Sequence, residues 1–438
     1  MRFTSVAHDH GLMALRRRAE RANLILNILD GAFAILAFAL LDPGNVIAPF
    51  LRKAGASDTL VGLLTSIDPF VRVVVPLLIA RRIERLGRKK PTVLLIGVFQ
   101  RLHAIVVAVM AVFLLPGRRT AFLALYAASL VVYSAANCAS GVVWSDFVAK
   151  VTPAARRGLL FAWRWNMGIV PIVASSAAIG WLLARLDFPL NYAAILAASG
   201  VSFWISFVFV ALVRERGGRP APGGVQDGAG RLGAIAGVLR EDPSFARYLV
   251  SSSLSALGES MVGAFLVLTA QDRFGVEPER VLAWYMLAQY ACFFVGNLVA
   301  LRLASAKGHR KSLRLRGPLA ILACLAALLA RDYVQYGLTF AIWGLARSVV
   351  SVSEVPIIME FGGETRRPRY WALWSACFAV ATAVGPFAGG VLREYANAEW
   401  GFAAAMALSA AGTAVLALTV RDPSARLDGP DPTRRGGP

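Results

Sequence analysis

Along this chain, long stretches almost free of charge alternate with short stretches crowded by it. Twelve apolar runs can be marked off, at 23–50, 59–80, 91–115, 120–143, 159–184 and 191–213, then at 248–270, 281–304, 312–330, 333–358, 371–392 and 401–420. About 20 helical residues cross a hydrocarbon core of about 30 Å, so runs of this length predict membrane-spanning helices. The ninth run is the least regular, because Arg314 and Arg316 fall at its start and must reach back toward the interface to be tolerated. Between the sixth and seventh runs lies "RERGGRPAPGGVQDGAGRLG", residues 214–233. Its glycine, proline and charge predict a linker. The pattern divides the chain into a tail (1–22), a first bundle of six helices (23–213), a linker (214–247), a second bundle of six (248–420) and a second tail (421–438). The expected fold class is therefore all-α and integral to a membrane, as two pseudo-symmetric six-helix bundles.

Composition agrees. Of the 438 residues 57% are hydrophobic and 16% charged, against about 25% charged in soluble domains, and the mean hydropathy is +0.60. The net charge of +20 could suggest nucleic acid. A nucleic-acid face would not be cut into clusters by apolar runs, however, so no nucleic-acid partner is expected. Lysine and arginine collect in cytoplasmic loops. Alternate loops and both tails hold 32 of them against 9 on the other side, which predicts cytoplasmic termini in a cell membrane. The four cysteines, Cys138, Cys292, Cys324 and Cys377, all fall within apolar runs and read as small core residues. No metal or cofactor is expected. His8-Asp9-His10 is an isolated pair, and the four histidines are scattered.

The halves echo each other. Asp146-Phe147, Thr152 and Arg156-Arg157 after the fourth run correspond to Glu360-Phe361, Thr365 and Arg366-Arg367 after the tenth. The arginine pairs are 210 positions apart, as are Gly180 and Gly390. The loops after the second and eighth runs read "LGRKK" and "KGHRK". Two such repeats around a polar linker form a transporter architecture, with a site between the halves.

The loop after the second run is the densest in cations: "RRIERLGRKK", residues 81–90. With Ala80, Glu84, Arg85, Gly87, Arg88 and Lys89 it resembles the signature G-x-x-x-D-R-x-G-R-[RK] of the major facilitator superfamily. Ala80 stands there for the first glycine and Glu84 for the aspartate. The second-half loop keeps Gly308, Arg310 and Lys311 but has Ser305 and Ala306 in place of the acid–arginine pair. The resemblance implies a secondary transporter working by alternating access, with this loop as a cytoplasmic latch. On that basis Glu84, Arg85, Gly87 and Arg88, with Asp146, Arg156 and Arg157 and with Glu360, Arg366 and Arg367, are the expected inner gate. Acids at helix C-termini oppose the helix dipole and should recruit such cations.

Ionisable groups inside spans are costly and usually functional. Among them are Asp30, Asp68, Arg72, Arg101, His103, Arg164, Glu259, Arg347 and Glu354. The resemblance puts the first, fourth, seventh and tenth spans around the cavity and so favours Asp30, Glu259, Arg347 and Glu354. Depth along the helices, at 1.5 Å per residue, places Asp30 level with Arg72. A cluster of Asp30, Arg72 and Asp68, joined by Arg101, is expected. Glu259, in "LSALGESMVGAF", has no cation within a turn and is expected to load and release a proton. His103 reads as a neutral hydrogen-bonded histidine. "GPFAGG", with Gly385, Pro386, Gly389 and Gly390, is expected to break the eleventh span.

The partners expected are a small solute, a proton and the bilayer, with the chain as a monomer. No G-x-x-x-x-G-K-[ST] motif is present, so ATP is not the direct energy source and no enzyme activity is expected. The alternatives are a transport-inactive sensor or assembly factor and, more remotely, a membrane-embedded transferase. The substrate and the direction of transport are left open.

Overall fold

The computed structural model describes residues 2–84, 89–152, 154–215 and 237–421. These are helical with short connections, and no strand occurs among them. In chain order the helices are α1 (Arg2–Ala39), α2 (Ala48–Lys53), α3 (Asp58–Glu84), α4 (Lys90–Leu114), α5 (Arg119–Val151), α6 (Ala154–Arg185) and α7 (Leu190–Leu212). They continue with α8 (Pro243–Gly263), α9 (Leu266–Phe274), α10 (Pro278–Lys307), α11 (His309–Leu313), α12 (Arg316–Leu329), α13 (Tyr333–Tyr395) and α14 (Ala398–Leu418).

Ten helical stretches among the described residues are long and apolar enough to cross a bilayer, and an eleventh follows if α8 and α9, bent by 42°, count as one span. Helix α3 is the remaining long segment of the sequence's twelve, with Asp68 and Arg72 in its middle. The 63 residues of α13 hold two crossings, Tyr333–Gly362 and Arg369–Tyr395. Large apolar side chains such as Leu78, Phe113, Leu329 and Leu418 are exposed. Water would penalise such a surface, whereas acyl chains accept it.

Two compact units emerge from the packing. The first comprises residues 1–56, 70–225 and 278–283. In it α1 lies against α6 and α7, and α4 against α5 and α7. Val93, Val143, Phe147, Val151, Leu160 and Val210 form one of its apolar clusters. The second unit comprises residues 57–69, 226–277 and 284–438. There α8 packs on α13 and α14, and α12 on both of those. Phe245, Tyr248, Phe361 and Tyr370 anchor its core, with ring centroids of Phe245 and Tyr370 4.4 Å apart.

Helix α3 therefore begins in one unit and ends in the other, and the first residues of α10 join the first unit. Glycines account for the packing at the start of α3. A Cβ at Gly62 would collide with the Pro386 carbonyl, and one at Gly390 with the Asp58 carbonyl. Gly389 faces the Met261 carbonyl of α8 in the same way. This corrects the expectation for Gly385, Pro386, Gly389 and Gly390. The helix runs unbroken through all four, and the missing Cβ atoms serve close backbone approach.

Candidate functional site

In the first unit, Asn23, Asn27 and Asp30 repeat at helical spacing on α1, and all three are buried. Asp30 accepts a hydrogen bond at 2.6 Å from Arg164 Nη1 of α6 and another at 2.6 Å from Ser206 Oγ of α7. The same Arg164 nitrogen donates to the Asn27 carbonyl at 2.6 Å, and the guanidinium lies over the Trp144 ring, 4.4 Å from its centroid. Gly31 makes room: a Cβ there would strike the Arg164 side chain.

Arg101 of α4 joins through Ser206, at 3.4 Å. Its other donors go to the Phe203 and Gly97 carbonyls, both at 3.0 Å, and to Gln100 Oε1 at 3.3 Å, with Phe207 beneath it. Asp30 and Arg101 thus share a network as expected, but the direct partner of Asp30 is Arg164 and not Arg72. Arg72 is exposed on α3, and Asp68 is half-buried. Equal depth brought Asp30 and Arg72 level, but rotation about the helix axes decides which side chains meet.

In the second unit, Glu259 of α8 does have a cation. Arg316, the first residue of α12, grips it with both ends of its fork, Nε to Oε1 at 2.7 Å and Nη2 to Oε2 at 3.0 Å. Arg316 Nη1 reaches Glu354 Oε1 of α13 at 3.3 Å. Glu354 also accepts from Ser252 Oγ at 2.5 Å and from Trp374 Nε1 at 3.3 Å. Arg316 and Glu354 are 5% and 3% exposed, so these charges are inside the protein. Two expectations are corrected here. Glu259 is not a lone acid, and Arg316 does not reach to the interface. The chain turns at Arg314–Leu315, between α11 and α12. That turn aims Arg316 inward, while Arg314 bonds the Ala417 carbonyl at the end of α14. Arg347 is exposed. His103 is buried, bonded to Ser129 Oγ at 2.7 Å and stacked on Tyr133 at 4.6 Å, a core histidine.

Of the expected inner gate, Arg85, Gly87 and Arg88 lie outside the described residues, as do the side chains of Glu84, Asp146, Arg157, Arg366 and Arg367. Arg156 is half-buried. Glu360 stands 4.0 Å from His309 Nε2. The acid that organises this end of the first unit is Glu215, which the sequence reading left in the linker. It accepts from the Lys89 and Lys90 amides at the start of α4, at 3.1 and 3.0 Å, and from Lys150 Nζ at 2.9 Å. Burial opposes its ionisation, but the bonds from Lys150, Lys90 and Lys89 prevail and hold its carboxyl below the usual carboxylate range. Lys90 Nζ in turn caps the end of α7 at the Ala211 and Val213 carbonyls, 2.6 and 2.9 Å away. The "VRER" phrase after an apolar run was the available signal.

At the opposite ends of the spans, Arg393 bonds Asp58 at 2.8 Å, Thr269 at 2.7 Å, and Asp272. Lys53 pairs with Glu279 at 2.6 Å. Lys53 and Arg393 are two of the nine cations counted on that side of the sequence.

The Major Facilitator Superfamily family model matches residues 31–359 and again 255–437. The chain belongs to that superfamily. No curated protein matches it. Among solved structures, a D-xylose–proton symporter is similar with a TM-score of 0.70 at 9% identity, covering 92% of this chain and 98% of that one. A mutant of the nucleoside transporter NupG is similar with a TM-score of 0.67 at 11% identity, covering 90% of this chain and all of that one. A second NupG structure gives 0.61 at 11% identity, covering 92% and 99%. The superfamily makes this chain a multi-pass membrane transporter of solutes, and the solved structures share its fold.

Proposed function

We propose that this superfamily member moves a small polar solute across the cell membrane by alternating access, driven by a proton gradient. The supporting observation is the pair of buried ionic networks, one around Asp30 and Arg164 and one around Arg316 with Glu259 and Glu354. Charge is expensive at membrane depth. A fold that needed only to span the bilayer would fill these positions with apolar side chains, so polar sets held inside both units support a solute and ion pathway. The absence of a nucleotide-binding motif in the sequence favours an ion gradient as the energy source. Glu215 and its lysines add charged contacts at the end of the first unit where an inner gate is proposed, and the cation asymmetry favours cytoplasmic termini.

Solved structures with this fold include a D-xylose–proton symporter and a nucleoside transporter, so neutral, hydroxyl-rich solutes head the panel to test. The experiment is uptake of labelled pentoses, hexoses, nucleosides and organic acids into proteoliposomes, with and without an imposed pH gradient. Accumulation of one class that collapses when a protonophore is added is the expected result. Uptake of a solute that ignores the gradient would remove the coupling. No uptake of any class, together with a co-purifying partner, would favour a sensor or assembly factor.

A further inference from the structure

We infer that the coupling proton is held in the second half of the chain, by the Glu259 and Glu354 carboxyls on either side of Arg316, while Asp30 stays ionised throughout. This rests on the proton-coupled reading above and assigns it to particular atoms.

The inference follows from counting charge in each buried network. A guanidinium keeps its proton in any protein environment. The first network therefore holds one acid, Asp30, and two cations, Arg164 at 2.6 Å and Arg101 one hydroxyl further away through Ser206. Protonating Asp30 would leave two buried cations with no counter-charge, and an uncompensated buried charge is strongly unfavourable. This network has no place for a transported proton.

The second network is the reverse, with two acids and one cation. Glu259 takes the bidentate face of Arg316, at 2.7 and 3.0 Å. Glu354 receives a single, longer contact from Nη1 at 3.3 Å. Its closest donor, Ser252 at 2.5 Å, is neutral, and so is Trp374, as far away as Arg316 at 3.3 Å. One negative charge is left over, and one proton brings the set to zero. In that step a proton from water binds a Glu354 oxygen, the carboxylate becomes the neutral acid, and its contact with Arg316 is released while Glu259 keeps the fork. Release of the proton on the other side restores the starting charges.

The groups facing the acids permit this. Helix α8 brings Tyr248, Ser252 and Glu259. Helix α12 brings Arg316 and the buried Cys324. Helix α13 brings Glu354 and Trp374, and α14 contributes Thr413 and no charge. A cavity of about 10 Å³ lies among Tyr248, Ser251, Ser255, Arg316, Glu354 and Thr413. That is about the space one water needs, and the lining offers more than the two polar partners such a water requires. The Tyr248 hydroxyl lines it, 2% exposed and beside Glu354 and Ser252. A water there would lie between Tyr248 and Glu354 and deliver the proton to Glu354.

The test needs no substrate. Infrared difference spectra of the purified full chain, acid minus alkaline buffer within the range where exposed carboxylates stay ionised, should show a protonated carboxylic C=O band in the wild type. Glu354→Gln and Glu259→Gln should each lose it, because removing either acid brings the set to neutrality. Asp30→Asn should keep it. Glu354→Asp guards against misfolding of the glutamine variants: it should keep a band at a displaced frequency. A band that survives in both glutamine variants, that disappears in Asp30→Asn, or that stays unmoved in Glu354→Asp overturns the assignment. Proton-driven uptake by the wild type is scored separately, so loss of coupling and loss of this site are distinguishable.

Discussion

The two buried networks sit in corresponding places and carry opposite chemistry. Trp144 and Glu354 are 210 positions apart, and so are Arg164 and Trp374. That is the interval separating the repeated arginine pairs. In the first half the aromatic comes from α5 and the charge from α6, with Arg164 stacked on Trp144. In the second half the charge comes from the equivalent stretch of α13 and the aromatic from the stretch after it, with Trp374 donating to Glu354. The internal repeat kept the positions where polar side chains meet and exchanged which residue is polar. One half thereby has a surplus cation and the other a surplus acid, so two similar bundles can do different work.

The largest effect that would sharpen this contrast is on Arg316. Arg316→Leu leaves the buried Glu354 and the half-buried Glu259 without their only cation partner among the described residues, and should cost about 3–5 kcal/mol, read as a lower thermal midpoint in detergent. Arg164→Leu should cost less, because Asp30 keeps Ser206 and the nearby Arg101. If the first substitution proved milder than the second, the contrast would be lost.

Next in size is Gly389→Leu. It drives a side chain into the Met261 carbonyl and should cost about 1–3 kcal/mol as overpacking, whereas Gly141→Leu meets open space and should not. Equal midpoints for the two would refute the close-approach role.

Ser206→Ala removes a neutral donor from Asp30 and should cost about 1 kcal/mol, with transport retained. Complete loss of transport would put Ser206 in the pathway itself.

The smallest effect concerns pH and Glu215. Its carboxyl is held below its unfolded value, so its contribution is full above that unfolded value and fades as pH falls through the lowered one. The wild-type midpoint should decline in that acid window, and Glu215→Gln should flatten the decline. An unchanged slope would detach Glu215 from the stability of this end.

Much of this was legible in one dimension. Apolar runs longer than a bilayer is thick marked the spans, and Asp30, Glu259 and Glu354 stood out because each is an acid where lipid-facing sequence forbids one. Partners were not legible. Arg316 was read as an interfacial residue because it stands near the start of an apolar run, and nothing in the string shows that α11 and α12 turn there. Arg72 was chosen for Asp30 on depth, which is linear along a helix. Arg164 is the partner because α1 lies against α6, a choice made by packing. Glu215 was overlooked because its apolar run had ended two residues earlier, and the amides it caps come from a helix 125 positions away.

What the sequence by itself determined is which segments are long and apolar enough to cross a bilayer, that the chain repeats, and which residues place charge within those segments, because hydrophobic length and Coulomb cost are properties of a segment alone. What only the tertiary structure decided is which charges neutralise each other, and therefore which half has an acid to spare. Pairing depends on the rotation and approach of separate helices, and those are set by glycines and side chains that meet only after folding.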